Sequence, residues 1–161
     1  MLQYGSSERR YAVQKIFEVK ENKEEFLPLL LVADEDEKMI FKYLDRSRLF
    51  VLDDNGVKGL VAISDEGEGT LEIKNLAVVP GYQRKGYGRR LIEFVKENFS
   101  QSYKFLTVGT GDSPLTVPFY ERCGFVRHHT VENFFTDNYD HEIYECGVLL
   151  RDMVYFSMPL G

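Results

Sequence analysis

The sequence predicts a single domain of the mixed α/β (α+β) class, in which helices cover the faces of one sheet. Two observations favour this class. Apolar and β-branched runs typical of strands cluster in the first half of the chain, and a strand–helix–strand–helix–strand order follows them. A chain of 161 residues is also long enough for one such domain with a sizeable core.

The first half of the chain contains four predicted strands and two predicted helices. Met1–Arg10 is polar and is expected to be a loosely ordered tail, which leaves residues 11–161 for the domain. The strands are predicted at Tyr11–Val19, Arg48–Leu52, Val57–Ser64 and Leu71–Val79, and the helices over Phe26–Val32 and around Met39, Ile40, Tyr43 and Leu44. Asn22 is a candidate N-cap for the first helix, and Asp54-Asn55-Gly56 predicts a hairpin turn.

The second half begins with a basic, glycine-rich turn, Gln83–Gly88, after the fourth strand. Apolar residues at helical spacing then predict a helix that ends near Phe99. The later elements are a strand at Tyr103–Val108, a helix over Pro114–Cys123 stopped by Gly124, and strands at Phe125–Val131 and Val148–Met158. A long acidic and aromatic segment, Glu132–Gly147, is predicted to separate the last two strands.

The turn at Gln83–Gly88 has the features of an anion site. A strand, a glycine turn and a helix start present backbone N–H groups and the positive end of the helix dipole, and successive amides form a nest that fits a phosphate. Gly86 and Gly88 lack Cβ, so a ligand can approach the backbone closely. Four cationic side chains lie near this helix start, where the positive end of the dipole disfavours them. A bound anion would remove the conflict. The four are Arg84, Lys85, Arg89 and Arg90. A loop with a solvated basic face is the alternative.

Two motifs of the chain resemble the GNAT superfamily of N-acetyltransferases. Gln83–Gly88, QRKGYG, matches the acetyl-CoA motif Q/R-x-x-G-x-G/A, and Phe119–Phe125, FYERCGF, resembles the segment F-Y-x-x-x-G-F. The resemblance covers roughly the whole chain. It implies the GNAT fold, a mixed and mostly antiparallel sheet with flanking helices. In that fold Leu71–Val79 and Tyr103–Val108 would be the splayed central parallel pair, with the cofactor in the gap.

The resemblance also implies the activity, which is transfer of an acetyl group from acetyl-CoA to a primary amine by direct attack and without a metal. The cofactor-binding residues that it implies are Leu76, Ala77, Val78, Gln83, Arg84, Lys85, Gly86, Tyr87, Gly88, Arg89 and Ser113. Ser113 stands where the family often has an asparagine. We therefore expect Ser113, or the preceding Asp112, either to contact the cofactor or to cap the helix.

Tyr120 matches the family tyrosine that protonates the CoA thiolate, and it is the predicted catalytic acid. A phenol and a thiol have ordinary pKa values that are close enough for proton transfer in a closed site. The alternative is a core aromatic residue that packs beside Phe119 and Phe125.

Glu72 is the predicted catalytic base. It precedes Gln83 by the spacing at which some GNAT enzymes carry a glutamate that deprotonates the amine, often through water. An outward-facing strand residue is the alternative. His141 and Glu142 are alternative bases, whereas His128 and His129 are expected to be polar residues of a strand or turn.

The acceptor is expected to be a small cationic amine. Glu132–Gly147 combines aromatic rings with carboxylates, which would attract such a molecule. A subunit interface or an ordinary hairpin loop explains this segment equally well, and the first of these would make the protein a homodimer. A silent acyl-CoA-binding sensor and a protein or peptide N-acetyltransferase are the alternative functions.

Composition excludes several other classes. The net charge of −6 argues against nucleic acid as a partner, because phosphate binding needs a basic surface. The N-terminal residues do not form a signal peptide and no apolar stretch is long enough for a membrane span, so we expect a cytoplasmic protein without a membrane partner. The acidic run Asp34–Lys38 favours a solvated helix face over a metal site.

Overall fold

A computed structural model describes residues 14–161 of the chain. The predicted tail and the start of the predicted strand Tyr11–Val19 lie outside these residues. The strands of the described part are β1 (Gln14–Val19), β2 (Arg48–Asp54), β3 (Val57–Gly67), β4 (Thr70–Val78), β5 (Phe105–Gly111), β6 (Val126–Val131), β7 (Tyr144–Glu145), β8 (Val148–Leu149) and β9 (Met153–Pro159). Its α-helices are α1 (Leu27–Ala33), α2 (Glu37–Phe41), α3 (Tyr87–Phe99), α4 (Val117–Arg122) and α5 (Phe134–Asn138).

Seven strands form one mixed sheet in the order β1-β2-β3-β4-β5-β9-β6. β4 and β5 run parallel, with Thr70 opposite Phe105 and Ile73 opposite Val108 at the ends of their register. β5 pairs antiparallel with β9, and β9 with β6. The predicted fold class, a mostly antiparallel sheet with this parallel pair, is therefore confirmed. β4 continues beyond the registered pairs to Val78, and β5 continues to Gly111.

The described residues group into two compact units. The first consists of the described chain up to Ile63 together with Asn75–Glu93, and the second of Ser64–Lys74 together with Phe94–Gly161. The assignment of residues 11–161 to a single domain stays a prediction.

The first unit contains the hairpin that the sequence predicted. Asn55 and Gly56 connect β2 to β3 with φ values of 55° and 107°, which is the left-handed backbone that a tight hairpin turn requires. Side chains of α1, α2, β2 and β3 form its apolar core, including Leu30, Ile40, Leu49, Val51 and Leu60. The side-chain amide of Asn75 lies in this core and donates to the carbonyl of Leu30 and to the hydroxyl of Tyr43, each at 3.0 Å.

The second unit is organised around β9, whose Phe156 is fully buried. The strand β6 contains a bulge against β9. Arg127 lies opposite Phe156 and His129 lies opposite Tyr155, so His128 is an extra residue between two registered pairs.

Two helices start later than the sequence indicates. Asn22 has a left-handed φ of 55° and its side chain makes no capping bond, so the cap prediction was wrong. The chain instead forms a 3-10 turn at Lys23–Phe26, and α1 begins afterwards with a proline in its first turn. The helix predicted from Pro114 begins at Val117, because Ser113 and the residues after it form a separate turn.

The segment Glu132–Gly147 is more ordered than predicted. It contains α5 and β7, and Phe135 packs with Ile143 and Leu150 in a small core of its own. The predicted strand Val148–Met158 is divided, because β8 pairs with β7 while β9 joins the main sheet. No helix of the described residues is both long and apolar enough to span a membrane.

Candidate functional site

The glycine-rich turn lies in the first unit, between β4 and α3. Tyr82 donates its backbone N–H to the carbonyl of Val79 at 2.9 Å, and Arg84 and Gly86 have φ values of 64° and 88°. The N–H of Arg90 donates to the carbonyl of Gly86 at 2.9 Å. Helical bonding thus reaches back to Gly86, and the first N–H groups of the helix have no intrahelical acceptor. This backbone is a candidate anion site.

Space and charge at this turn also suit an anion. A Cβ built on Gly86 would meet no atom within 4 Å, so the surface beside its backbone is open. Arg84, Lys85 and Arg89 are exposed around it. The ammonium of Lys58, on β3, lies 4.3 Å from the centre of the Tyr82 ring and adds a cation that the motif did not identify. No local pattern indicates Lys58, because strand pairing brings it to the turn.

Tyr87 is buried, and its hydroxyl donates to the carboxylate of Asp54 at 2.6 Å. It was predicted to bind cofactor, and the structure shows it as an anchor between the start of α3 and the end of β2. Gly88 is buried beside it.

Leu76–Val78, which the family resemblance implies as cofactor-binding residues, form the end of β4. Ala77 is buried, whereas Leu76 and Val78 are half-buried. A Cβ on Gly59 of β3 would lie 2.9 Å from the carbonyl oxygen of Ala77, so this glycine permits a close approach of the two strands.

Tyr120 lies in the second unit and is 6% exposed. Its ring packs edge-on against Phe119 and Phe125, with centroids 5.0 Å and 5.6 Å away, and is tilted against Phe156. Burial, and to a lesser degree Cys123 and Glu145, raises the pKa of its phenol well above the ordinary value. The phenol therefore holds its proton at neutral pH. The ring of Tyr120 packs as the core-aromatic alternative predicts. The predicted acid role depends on the hydroxyl, which these ring contacts do not involve.

Ser113 is buried, and its hydroxyl donates to the carboxylate of Glu145. The same oxygen accepts from the backbone N–H groups of Leu115 and Thr116, at 3.3 Å and 3.4 Å. These contacts place Ser113 in the turn before α4, whose N-cap position is Thr116. Asp112 is exposed and lies 3.9 Å from the guanidinium of Arg127.

Glu72 lies in a groove of about 540 Å³ on one side of β4, β5, β6 and β9, all within the second unit. Its carboxylate forms an ion pair with the ammonium of Lys74, which also lies 3.3 Å from Glu66. Tyr155 lines the same groove. Burial first, and then the negative charges of Glu72 and Glu66, raises the pKa of the Tyr155 phenol. The groove thus carries two carboxylates, one ammonium and aromatic surface.

His128 and His129 also line this groove, which the sequence did not predict. Residue periodicity assumes that side chains alternate between the two faces of a strand. The bulge in β6 inserts one residue and interrupts this alternation, so periodicity does not predict which face His128 and His129 occupy.

A second cavity, of about 390 Å³, lies against α5 and includes His141 and Glu142. The imidazole Nδ1 of His141 lies 2.8 Å from the carboxylate of Asp140, and Glu142 accepts from the hydroxyl of Tyr144 at 2.7 Å. Both alternative bases therefore have partners of their own. Among residues 14–161, histidine, cysteine and carboxylate side chains do not form any group of three that could hold a metal ion.

The comparisons with known proteins agree with these features. Residues 45–127 match the family described as Acetyltransferase (GNAT) domain. A Bacillus subtilis relative, the uncharacterized N-acetyltransferase YvbK, is 29% identical over 144 residues, which is 88% of this chain and 93% of the relative.

Two solved structures extend the likeness to the whole fold. A GNAT family acetyltransferase from Elizabethkingia anophelis with acetyl-CoA bound has a TM-score of 0.86 and 31% identity, covering 91% of this chain and 98% of that one. An IAA acetyltransferase from Bacillus cereus has a TM-score of 0.84 and 32% identity, covering 91% and 99%.

Proposed function

The chain belongs to the GNAT acetyltransferase family and is an acyltransferase, and we propose that it transfers the acetyl group of acetyl-CoA directly to a small cationic amine. The groove that holds Glu66 and Glu72 is the observation that carries the choice of acceptor. A carboxylate pair beside aromatic surface attracts an alkylammonium group.

The turn before α3 is proposed to hold the donor. Its open backbone at Gly86, its positive φ values and its exposed cations fit a diphosphate. Acetyl-CoA would supply an activated thioester there. We assign the diphosphate to the N–H groups from Arg84 to Arg89, with Gln83 at the edge of the turn, and the pantetheine arm to Leu76–Val78.

The groove in the second unit is proposed to hold the acceptor. Lys74 neutralises part of its negative charge, so a cationic amine would compete with this ammonium for Glu72 and Glu66. The exposed ring of Phe105 and the half-buried ring of Tyr155 offer faces for the carbon chain. The sequence indicated Glu132–Gly147 equally as an acceptor surface and as an interface or loop, and we assign the acceptor to the charged groove instead.

Tyr120 is proposed to protonate the leaving thiolate. Its raised pKa keeps the proton on the phenol at neutral pH, and a buried thiolate is made more basic by the same loss of hydration. The amine nitrogen must lose a proton before it attacks, because an ammonium has no lone pair. Glu72 is the candidate base that the family resemblance gives, although its ion pair with Lys74 opposes that role.

A thiol-release assay with acetyl-CoA and a panel of amines tests the proposal. Polyamines, amino acids, aminoglycosides and peptides cover the acceptor classes. We expect turnover with small cationic amines, and we expect Glu66→Gln and Glu72→Gln to raise their KM. Turnover with peptides alone would replace this acceptor by a protein, and CoA binding without turnover of any amine would favour the acyl-CoA sensor.

A further inference from the structure

The bulge in β6 places two imidazoles on the same groove. Neighbouring residues of a regular strand point to opposite faces, so an undistorted β6 would separate His128 from His129. Because His128 is the extra residue of the bulge, both rings line the groove, and their Nδ1 atoms lie 2.7 Å apart. Bulges are known to re-aim side chains in this way beside active sites.

The ring of His129 is held in place. It stacks on the ring of Tyr155 with centroids 4.6 Å apart and planes only 7° from parallel. The Tyr155 ring in turn packs over Gly109, where a Cβ would lie 2.8 Å from its Cε1. These contacts restrict the orientation of the His129 ring more than is usual for an exposed side chain on a strand.

The short contact between the rings defines their protonation. Two Nδ1 atoms at 2.7 Å require one ring to donate N–H and the other to accept. The donating neutral ring then has a bare Nε2, which is a proton acceptor. When that Nε2 gains a proton, the ring becomes a cation and its bond to the second imidazole becomes charge-assisted. A second added proton would set two N–H groups against each other and break the contact.

The charged and titratable groups that line the groove with the pair come from three other strands: they are Glu66 of β3, Glu72 and Lys74 of β4, and Tyr155 of β9. Arg127 of β6 lies over the ring of Phe156, with its guanidinium carbon 5.9 Å from the ring centre. The ammonium of Lys74 forms an ion pair with the carboxylate of Glu72. Imidazole is the side chain that ordinarily changes charge between about pH 5 and 8. The bare Nε2 of the donating ring is therefore a better candidate proton acceptor than the carboxylate of Glu72, which is already paired with Lys74.

We propose that the His128–His129 pair accepts the proton of the acceptor ammonium, an inference that rests on the proposed function. The ammonium gives one proton to the bare Nε2 of the donating ring. The nitrogen lone pair then forms the C–N bond while the C–S bond breaks, and the thiolate takes the proton of Tyr120. The second proton lost by the nitrogen restores Tyr120, and the imidazolium releases its proton to water.

A pH–rate profile tests this assignment against Glu72. We expect kcat/KM of the unaltered enzyme to rise between about pH 5 and 8, and His129→Gln to lose this rise together with about 10²-fold in rate at neutral pH. His128→Gln should shift the profile, and Glu72→Gln should keep the rise with a higher KM. Thr130→Val, on the same strand, is the matched control and should change neither. A His129→Gln enzyme that keeps the rate and the rise overturns the proposal, as does a Glu72→Gln enzyme that loses the rise.

Proton NMR gives a readout that does not depend on turnover. The chain has three histidines, so the Cε1–H signals are assigned with His128→Gln, His129→Gln and His141→Gln. A shared proton predicts that the signals of His128 and His129 titrate together, and that removing one ring shifts the midpoint of the other. Independent titrations in an active enzyme would refute the pair. Linked titrations in an enzyme that acetylates no amine would instead refute the proposed function.

Discussion

The hydroxyl of Tyr87 donates to the carboxylate of Asp54 at 2.6 Å, which ties the first residue of α3 to the last residue of β2. The bond holds the start of the helix at the turn that we assign to the diphosphate. We expect Tyr87→Phe to cost about 1.5–3 kcal/mol, the usual range for a hydrogen bond to a charged group. Each kcal/mol should lower Tm by roughly 2–4 °C in a thermal melt. Tyr82→Phe, an exposed tyrosine of the same turn, is the control, and an equal effect there would contradict the account.

Alanine substitutions at two glycines of the turn distinguish the effect of backbone strain from the effect of lost ligand contact. Gly81 and Gly86 both have φ near +90° and both face open space, so replacement by alanine should strain each by about 1 kcal/mol. Only Gly86 belongs to the proposed diphosphate nest. We expect Gly86→Ala to weaken CoA binding by about tenfold or more, which is about 1.4 kcal/mol, while Gly81→Ala leaves the calorimetric Kd nearly unchanged. Equal losses would mean that the nest is not the ligand site.

Tyr120→Phe should lower turnover and leave CoA affinity unchanged. The ring, which makes the packing contacts, is retained, and only the hydroxyl that would protonate the thiolate is lost. We expect a loss of about 10²-fold in kcat. Tyr103→Phe, which removes another phenol of the second unit, is the control. Full turnover of Tyr120→Phe at neutral pH would remove this residue from the mechanism.

The buried phenols of Tyr43 and Tyr120 predict a loss of stability at alkaline pH. Burial raises both pKa values above that of the unfolded chain, so the unfolded state loses its phenol protons first. Their contribution is complete below about pH 10, the ordinary tyrosine pKa, and declines as the pH rises beyond it. Urea unfolding at increasing pH should show this decline. Its slope should be smaller in Tyr43→Phe and in Tyr120→Phe, and unchanged in Tyr82→Phe; three identical slopes would contradict the burial argument.

Lys74 should oppose binding of a cationic acceptor. Its ammonium pairs with Glu72 and lies near Glu66, so Lys74→Met leaves the carboxylates for the amine. We expect a lower KM for cationic amines, with the largest effect at low salt because these groups are partly exposed. Lys104→Met changes the same net charge outside the groove and should leave KM unchanged. A higher KM in Lys74→Met would place the acceptor elsewhere.

The secondary structure and the glycine-rich turn were predicted from the sequence because their determinants are local. Apolar and β-branched runs predicted the two strands, the family resemblance implied that they run parallel, and helical periodicity predicted the face of α3 that buries Leu91, Ile92 and Val95. Asn55-Gly56 predicted the hairpin because these two residue types readily adopt the left-handed backbone that the turn requires, and the structure shows that backbone.

The remaining features depend on contacts between distant residues. Strand pairing brings Lys58 to Tyr82, and a side-chain bond connects Asp54 to Tyr87. The bulge that joins His128 to His129 depends on how β6 pairs with β9. Periodicity within one segment carries no information on such pairs, so the groove lined by His128 and His129 could not be predicted.

The central claim is that backbone amides at the start of α3 hold the diphosphate of CoA. Amide chemical-shift changes in a ¹H–¹⁵N spectrum, recorded during titration with CoA and with pantetheine, test it directly. We predict that CoA moves the N–H signals of residues 84–89 most strongly and that pantetheine, which lacks the diphosphate, does not move them. Binding of CoA that leaves these six amides in place would contradict the account.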